Sequence, residues 1–193
     1  MQKKEIIWRY ILEEARKKPG AAFTQKNIAS LFKISTSTVF NAIKIPRQLG
    51  AIDVTGRRFF LRDAEKLLMI WATHRNFEKD VVYKTSVAAG AREIEGAMPP
   101  DAVFGAYSAY RLKYDEAPAD YSAVYAYCDN LEEIKKRFPP KKGDVNLTVL
   151  KKDPFINAFG GTTSDTHTFV DLWNLPQWYA KDYRAALKEK LNF

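Results

Sequence analysis

Apolar residues return every three or four positions through the opening of the chain, the period of an amphipathic helix. Ile6, Ile7, Tyr10, Ile11 and Ala15 form one such stripe and predict a helix from Gln2 to Lys18, ended by Pro19-Gly20. Trp8 belongs to its core face or to a dimer contact. Thr24 stands where a cap is needed for a short second helix with Ile28 and Leu31 inward, and Ala29 is small enough to let another helix cross closely. Lys33-Ile34 makes the turn, Ser35 caps the next helix, and Val39 and Ile43 set its buried face. Pro46 removes a backbone donor and crowds the carbonyl of Ala42, so this helix should kink or tighten in its last turn. After Gly50 two short strands are predicted, Ala51 to Val54 and Arg58 to Leu61, joined by Thr55-Gly56-Arg57, where glycine permits the positive φ of a tight hairpin. Asp63 then caps a helix through Leu67, Leu68, Ile70 and Trp71 toward His74. Its apolar residues are too many for a solvated spacer, and packing between domains or against a second copy is expected.

Asn76 to Asp80 is polar apart from Phe77 and marks a boundary. Beyond it Val81-Val82-Tyr83 reads as a strand, Ala88 to Gly96 as a helix, and Asp101 as the cap of a helix through Val103, Tyr107 and Tyr110. Ala123 to Cys128 is a strand, Asn130 to Phe138 a short helix, Val145 to Leu150 a strand and Thr168 to Trp173 the last strand. Tyr179, Tyr183, Leu187 and Leu191 fall in register on a closing helix from Gln177 to Leu191. The fold class is therefore α+β: residues 1–76 form one domain ending in a connector helix, and residues 77–193 a mixed α/β domain with helices packed on one sheet.

Charge separates these halves. From Met1 to Arg62 there are thirteen Lys and Arg against four Asp and Glu, a net of +9, while the chain as a whole carries +8. The surplus thus belongs to the first third, and phosphate is the partner such a field favours, because neutralising it releases condensed counterions. Solubility alone would not concentrate the charge in this way. The apolar and cationic residues follow a packed-core pattern and not an interfacial stripe, so a membrane surface is not expected as partner. No apolar run is long enough to cross a bilayer, the amino terminus lacks a signal-peptide core, and one cysteine, Cys128, makes an intrachain disulfide impossible; a cytoplasmic protein is expected.

On the helix after Ser35, the residues Ser37, Asn41, Lys44 and Gln48 follow at spacings of four, three and four, so one stripe carries short hydrogen-bonding groups and a cation. A generic three-helix core has the same apolar spacing, but it needs neither this stripe nor the cationic hairpin tip. These residues resemble the winged helix-turn-helix domains of prokaryotic transcription regulators. The resemblance implies that Ser35 and Thr36 contact phosphate at the amino end of the recognition helix, that Ser37, Thr38, Asn41 and Lys44 face base edges, and that Arg47, Arg57 and Arg58 complete the DNA-binding surface. Double-stranded DNA is the expected partner, bound by a homodimer on half-sites about one helical turn apart.

In the second half, Phe104 to Asp129 resembles the nucleotidyltransferase core, a small-residue turn into a helix followed by a strand opened by an acid. Active members of that superfamily hold two metal ions with paired carboxylates and a third on a later strand. Here Asp120 is followed at the paired position by Ser122, with Asp171 left as the third acid, so an inactive domain with no catalytic or metal-binding residues and no cofactor is expected. An active nucleotidyltransferase with an appended nucleic-acid-binding domain is the alternative, and an aromatic protein-interaction module built on Tyr107, Tyr110, Tyr114, Trp173, Trp178 and Tyr179 a third. With His74 and His167 the only histidines, no zinc cluster can be assembled, and a Cys128–His167 pair has no third group to orient it. Gly160-Gly161 reads as a turn, since no lysine follows at the spacing of a phosphate loop.

The closing stretch from Thr166, with its Val-Asp-Leu triplet, Leu-Pro turn and charged helix, resembles the end of the AbiEi-type antitoxins of type IV toxin-antitoxin systems. Those proteins join a winged helix to a domain of this layout and repress their own operon, which implies a sequence-specific regulator with a cognate toxin as a further partner. Gln177-Trp178-Tyr179 departs from the Gly-Arg-rich turn usual there.

Overall fold

The computed structural model describes residues 1–193 and divides into two compact units, Met1–Arg75 with Phe193, and Asn76–Asn192. It is a mixed α+β chain with two separate sheets, and no helix is long and apolar enough to cross a membrane.

In the first unit α1 (Lys3–Lys17) lies against α3 (Thr36–Gln48) and α4 (Ala64–His74), with α2 (Gln25–Phe32) packed on α3. Ile7, Ile11, Leu12, Ile28, Val39, Leu67 and Trp71 fill the space between them. Trp8 is core, and its indole Nε1–H donates to the Ala42 carbonyl at 2.8 Å, fixing α1 on α3. The strands β2 (Ile52–Thr55) and β3 (Arg58–Leu61) pair with Thr55 opposite Arg58, so the loop is only Gly56-Arg57, with φ of Gly56 at 60°. The sequence reading missed β1 (Ala22–Phe23), which pairs antiparallel with β3 and stacks Phe23 on Phe59 at 5.5 Å. Two expectations change. Leu31 points outward, 51% exposed, since an eight-residue helix needs only Ile28 and Ala29 against α3. Moreover, α4 buries Leu67, Leu68, Trp71 and Ala72 within its own unit against α1 and α3, which explains its apolar content without a second copy. A buried ion pair, Arg75 to Glu5 at 3.0 Å, ties its end to α1.

In the second unit four strands make one sheet in the order β4 (Val81–Thr85), β7 (Leu147–Leu150), β6 (Val124–Tyr127), β5 (Val103–Phe104). The central pair β6–β7 is parallel and both flanking pairs are antiparallel. Side chains alternate across β6. Val124, Ala126 and Cys128 join Ile94 and Met98 at α5 (Ala91–Ala97) and Ile134 and Phe138 at α7 (Leu131–Arg137), while Tyr125 and Tyr127 turn to the opposite face. There α6 (Ala106–Tyr114) packs against α8 (Asp165–Trp173) and α9 (Ala180–Leu191). Both faces of the strand are thus covered, which is why it reads as a continuous apolar run.

Three predicted elements are corrected. The segment Thr168 to Trp173 is helical, part of α8, because Ser164 caps it and Thr168 satisfies its hydroxyl on the Ser164 carbonyl at 2.9 Å. Residues from Asp165 to Leu172 are all buried, so no one-sided pattern distinguishes helix from strand. Asp101 caps no helix: Val103–Phe104 pairs with Tyr127 and Ala126 as β5, and α6 begins only after Gly105. Finally, α9 starts at Ala180 and not at Gln177, whose side-chain amide donates to the Tyr125 hydroxyl at 2.8 Å and accepts from the Tyr107 hydroxyl at 3.1 Å.

Candidate nucleic-acid interface

The geometry of α3 begins at its cap. Lys33 turns the chain in a left-handed conformation, φ 52°, and the Ser35 hydroxyl accepts from the Thr38 amide at 3.1 Å while bonding the Ser37 and Thr38 hydroxyls at 2.8 Å. Val39, Ala42, Ile43 and Pro46 bury one side of the helix. Ser37, Asn41, Lys44 and Gln48 consequently run along the centre of the opposite, exposed side. At 1.5 Å per residue the stripe is about 16 Å long, the length of about five base-pair steps. The helix continues through Pro46 to Gln48, and Arg47 remains exposed.

The hairpin stands beside this helix. One groove is lined by Thr24, Gln25 and Asn27 of the α2 start, Thr36 of the α3 start, and Val54, Arg57 and Arg58 of the hairpin. A second runs along α3 itself, between Phe40, Lys44, Arg47 and Gln48 on one side and Gln25 and Val54 on the other. Gln25 and Val54 line both, so the grooves are continuous and put Thr36, Lys44, Arg47, Arg57 and Arg58 around one surface. Asn41 lines neither groove and sits on the open face of α3 between Ser37 and Lys44. Ser35 is exposed, but its hydroxyl is committed to the cap. Thr38 is half-buried.

The cations of this surface carry no internal counter-charge, a state they share with exposed Lys3 and Lys18 at the two ends of α1. Lys17 pairs with Glu14, Arg62 with Asp53, Lys66 with Asp63 and Arg75 with Glu5. Lys26, Lys33, Lys44, Arg47, Arg57 and Arg58 have no acidic partner within 4.0 Å and all are exposed. Their charge is not neutralised inside the protein, so an incoming polyanion meets it undiminished. Sequence reasoning missed Gln25, Lys26 and Asn27 at the start of α2, Phe40 of α3 and Val54 of the hairpin, all of which line this surface. The signal was present in Phe40, which lies four before Lys44 and off the Val39–Ile43 side.

The candidate chemistry of the second unit does not converge. Asp120 and Ser122 are exposed on the loop before β6, whereas Asp171 is buried on α8, a helix and not a strand. Asp171 accepts from the Tyr127 hydroxyl at 2.7 Å, and the same hydroxyl lies 3.0 Å from His167 Nε2. Gly105 presses on this cluster: a Cβ there would sit 3.1 Å from the Tyr127 ring and 3.2 Å from Asp171. All three polar side chains are enclosed, which makes the cluster a packing element between β6 and α8. Cys128 lies on the other face of β6, its thiol pushed up by burial, far from the environment of a reactive thiolate. His74 belongs to the first unit and meets the Trp8 ring edge-on at 5.5 Å. Among the aromatics, Tyr107 and Tyr110 are core, while Trp173 is partly open under the Arg184 guanidinium and Trp178 is 72% exposed. Comparison of the chain with protein-family models, with curated proteins and with solved structures returns no match.

Proposed function

We propose that this chain is a sequence-specific DNA-binding transcription regulator in which residues 1–76 act as a winged helix-turn-helix domain. The recognition helix is α3, lying in the major groove with Asn41 bidentate to an adenine and Lys44 on a guanine acceptor. The β2–β3 hairpin is the wing, its Arg57 and Arg58 on the flanking backbone or in the minor groove. Thr36 meets a phosphate at the amino end of α3, where backbone donors and the helix dipole favour an anion. Lys26, Lys33 and Arg47 add further phosphate contacts. The observation that carries the reading is the continuous grooved surface on which exposed cations without acidic partners surround a 16 Å hydrogen-bonding stripe.

One such module makes few contacts, so a homodimer on a two-fold repeat, half-sites about one turn apart, is part of the proposal. Its extension to an antitoxin follows the AbiEi-type resemblance: the DNA is the promoter of the chain's own operon, and a toxin encoded beside it is the partner of the second unit. That unit is taken as a nucleotidyltransferase-like domain without activity, a reading supported by exposed Asp120 and Ser122 on a loop and Asp171 enclosed on α8.

Titration of the full chain with duplex DNA from its own promoter, at several salt concentrations, tests the proposal. With about five phosphates neutralised by each protomer, log K for the dimer should fall against log salt with a slope of about −9. Arg57→Ala with Arg58→Ala, which removes two cations from each protomer, should flatten that slope by about 4. A flat dependence for the unaltered chain, or an unchanged slope in the double variant, refutes this docking.

A further inference from the structure

The groove along α3 has an apolar centre that phosphate contacts leave unused. Phe40 is 47% exposed and Val54 36%, and they line the same groove over Ile43, which is buried. Its remaining walls are Gln25, Lys44, Arg47 and Gln48. An aromatic ring left half in water beside Lys44 and Arg47 keeps apolar area hydrated in the isolated protein. A protein partner would need an apolar knob inside an acidic collar. A DNA major groove supplies both together. Its phosphates flank the cations, and on its floor the C5-methyl of thymine is the one apolar group among the donors and acceptors.

We infer that Phe40 and Val54 form a slot for the C5-methyl group of a thymine, making Phe40 a specificity-determining residue of the α3 surface. The inference rests on the DNA-binding reading and names what that reading left open, a base the protein recognises without a hydrogen bond. The placement on α3 agrees with it. Phe40 lies four residues before Lys44 and seven before Arg47, so the three side chains share one side of the helix, beside the Ser37–Asn41–Lys44–Gln48 stripe. A thymine in the slot is therefore close to the bases read by Asn41 and Lys44. Val54 comes from the hairpin, so the slot also fixes the distance at which the hairpin stands from the groove floor.

The test separates this slot from DNA binding as such. A duplex is selected by the full chain from a random-sequence pool, and its thymines are replaced one at a time by uracil, which keeps every donor and acceptor and removes only the methyl group. At one thymine in each half-site, uracil should weaken binding by about fourfold, the worth of one methyl-sized apolar group removed from water. Phe40→Ala should bind the thymine duplex more weakly and show no further loss with uracil at that position. Phe40→Leu, which keeps an apolar wall, should retain part of the discrimination. Phe40 is outside the core, so circular dichroism and melting of both variants should match the parent chain. A selected duplex indifferent to uracil at every position overturns the slot while leaving DNA binding standing. A Phe40→Ala variant that keeps the full uracil penalty overturns the assignment to Phe40. If the pool yields no enriched sequence, the DNA-binding reading fails and the slot fails with it.

Discussion

Two helices of this chain begin alike and end in opposite surroundings. In α3 the Ser35 hydroxyl accepts from the Thr38 amide, and in α8 the Ser164 hydroxyl accepts from the His167 amide, three residues on in each case. Both caps lead into a turn of threonine and other hydrogen-bonding residues. Around α3 that capacity faces water, and the nearby cations have no carboxylates to hold. Around α8 it is consumed within the protein: Asp171 and His167 on Tyr127, Asp165 on Lys113 at 2.6 Å, and the Thr163 and Thr168 hydroxyls on each other at 2.6 Å. Polar residues on a helix therefore suggest a ligand only where the fold leaves them uncovered. Covered, they are internal fastenings, bonded to one another inside the protein.

That contrast can be broken from either end. The largest effect is expected at α8. Asp171→Ala removes the carboxylate that accepts from the Tyr127 hydroxyl and lies beside His167, leaving buried polar groups less well paired, and should cost the second unit about 3 kcal/mol in urea denaturation. Gly105→Ala follows at about 2 kcal/mol, because its Cβ meets the Tyr127 ring and Asp171 at distances only a shift of the core relieves. Ser35→Ala removes the α3 cap and should lower the stability of the first unit by about 1 kcal/mol. Asn41→Ala sharpens the comparison: exposed and outside the core, it should change stability by less than about 0.5 kcal/mol. The same variant should lose about 1–3 kcal/mol of discrimination at one base pair.

The smallest effect is a pH dependence in the first unit. Burial, with repulsion from Lys4, holds the pKa of His74 below its ordinary 6.5. The unfolded chain then binds the proton more readily than the folded one, so the stability this group contributes is complete above about pH 6.5 and declines as pH falls toward the depressed value. His74→Gln should reduce that acid-side decline, seen by comparing melting temperatures at about pH 7.5 and 5.5. A steeper decline in the variant would reverse the sign and count against the desolvated placement of His74.

Much of the first unit was legible because its signals are local. Thr24, Ser35 and Asp63 cap the helices they precede, and Val39 and Ile43 are buried as their spacing predicts. Leu31 misled because apolar character alone does not say whether a short helix has a neighbour on that side. In the second unit the readings at Thr168 to Trp173 and at Asp101 failed for a different reason. Segments buried on all sides lose the one-sided pattern from which helix and strand are told apart, and a two-residue strand such as Val103–Phe104 is defined only by its partners Tyr127 and Ala126.

The sequence by itself determined where α2, α3 and α4 start, the hairpin at Gly56, and the concentration of positive charge in the first third of the chain, since caps, turn conformation and composition act within a few residues or by simple addition. Only the tertiary structure decided which polar residues remain in water. It left Lys44, Arg47, Arg57 and Arg58 unpaired around one groove, set Phe40 and Val54 together at its centre, and enclosed Asp171 and His167 against Tyr127. The physical reason is that exposure and partnership depend on groups far apart in the chain, which local periodicity does not encode.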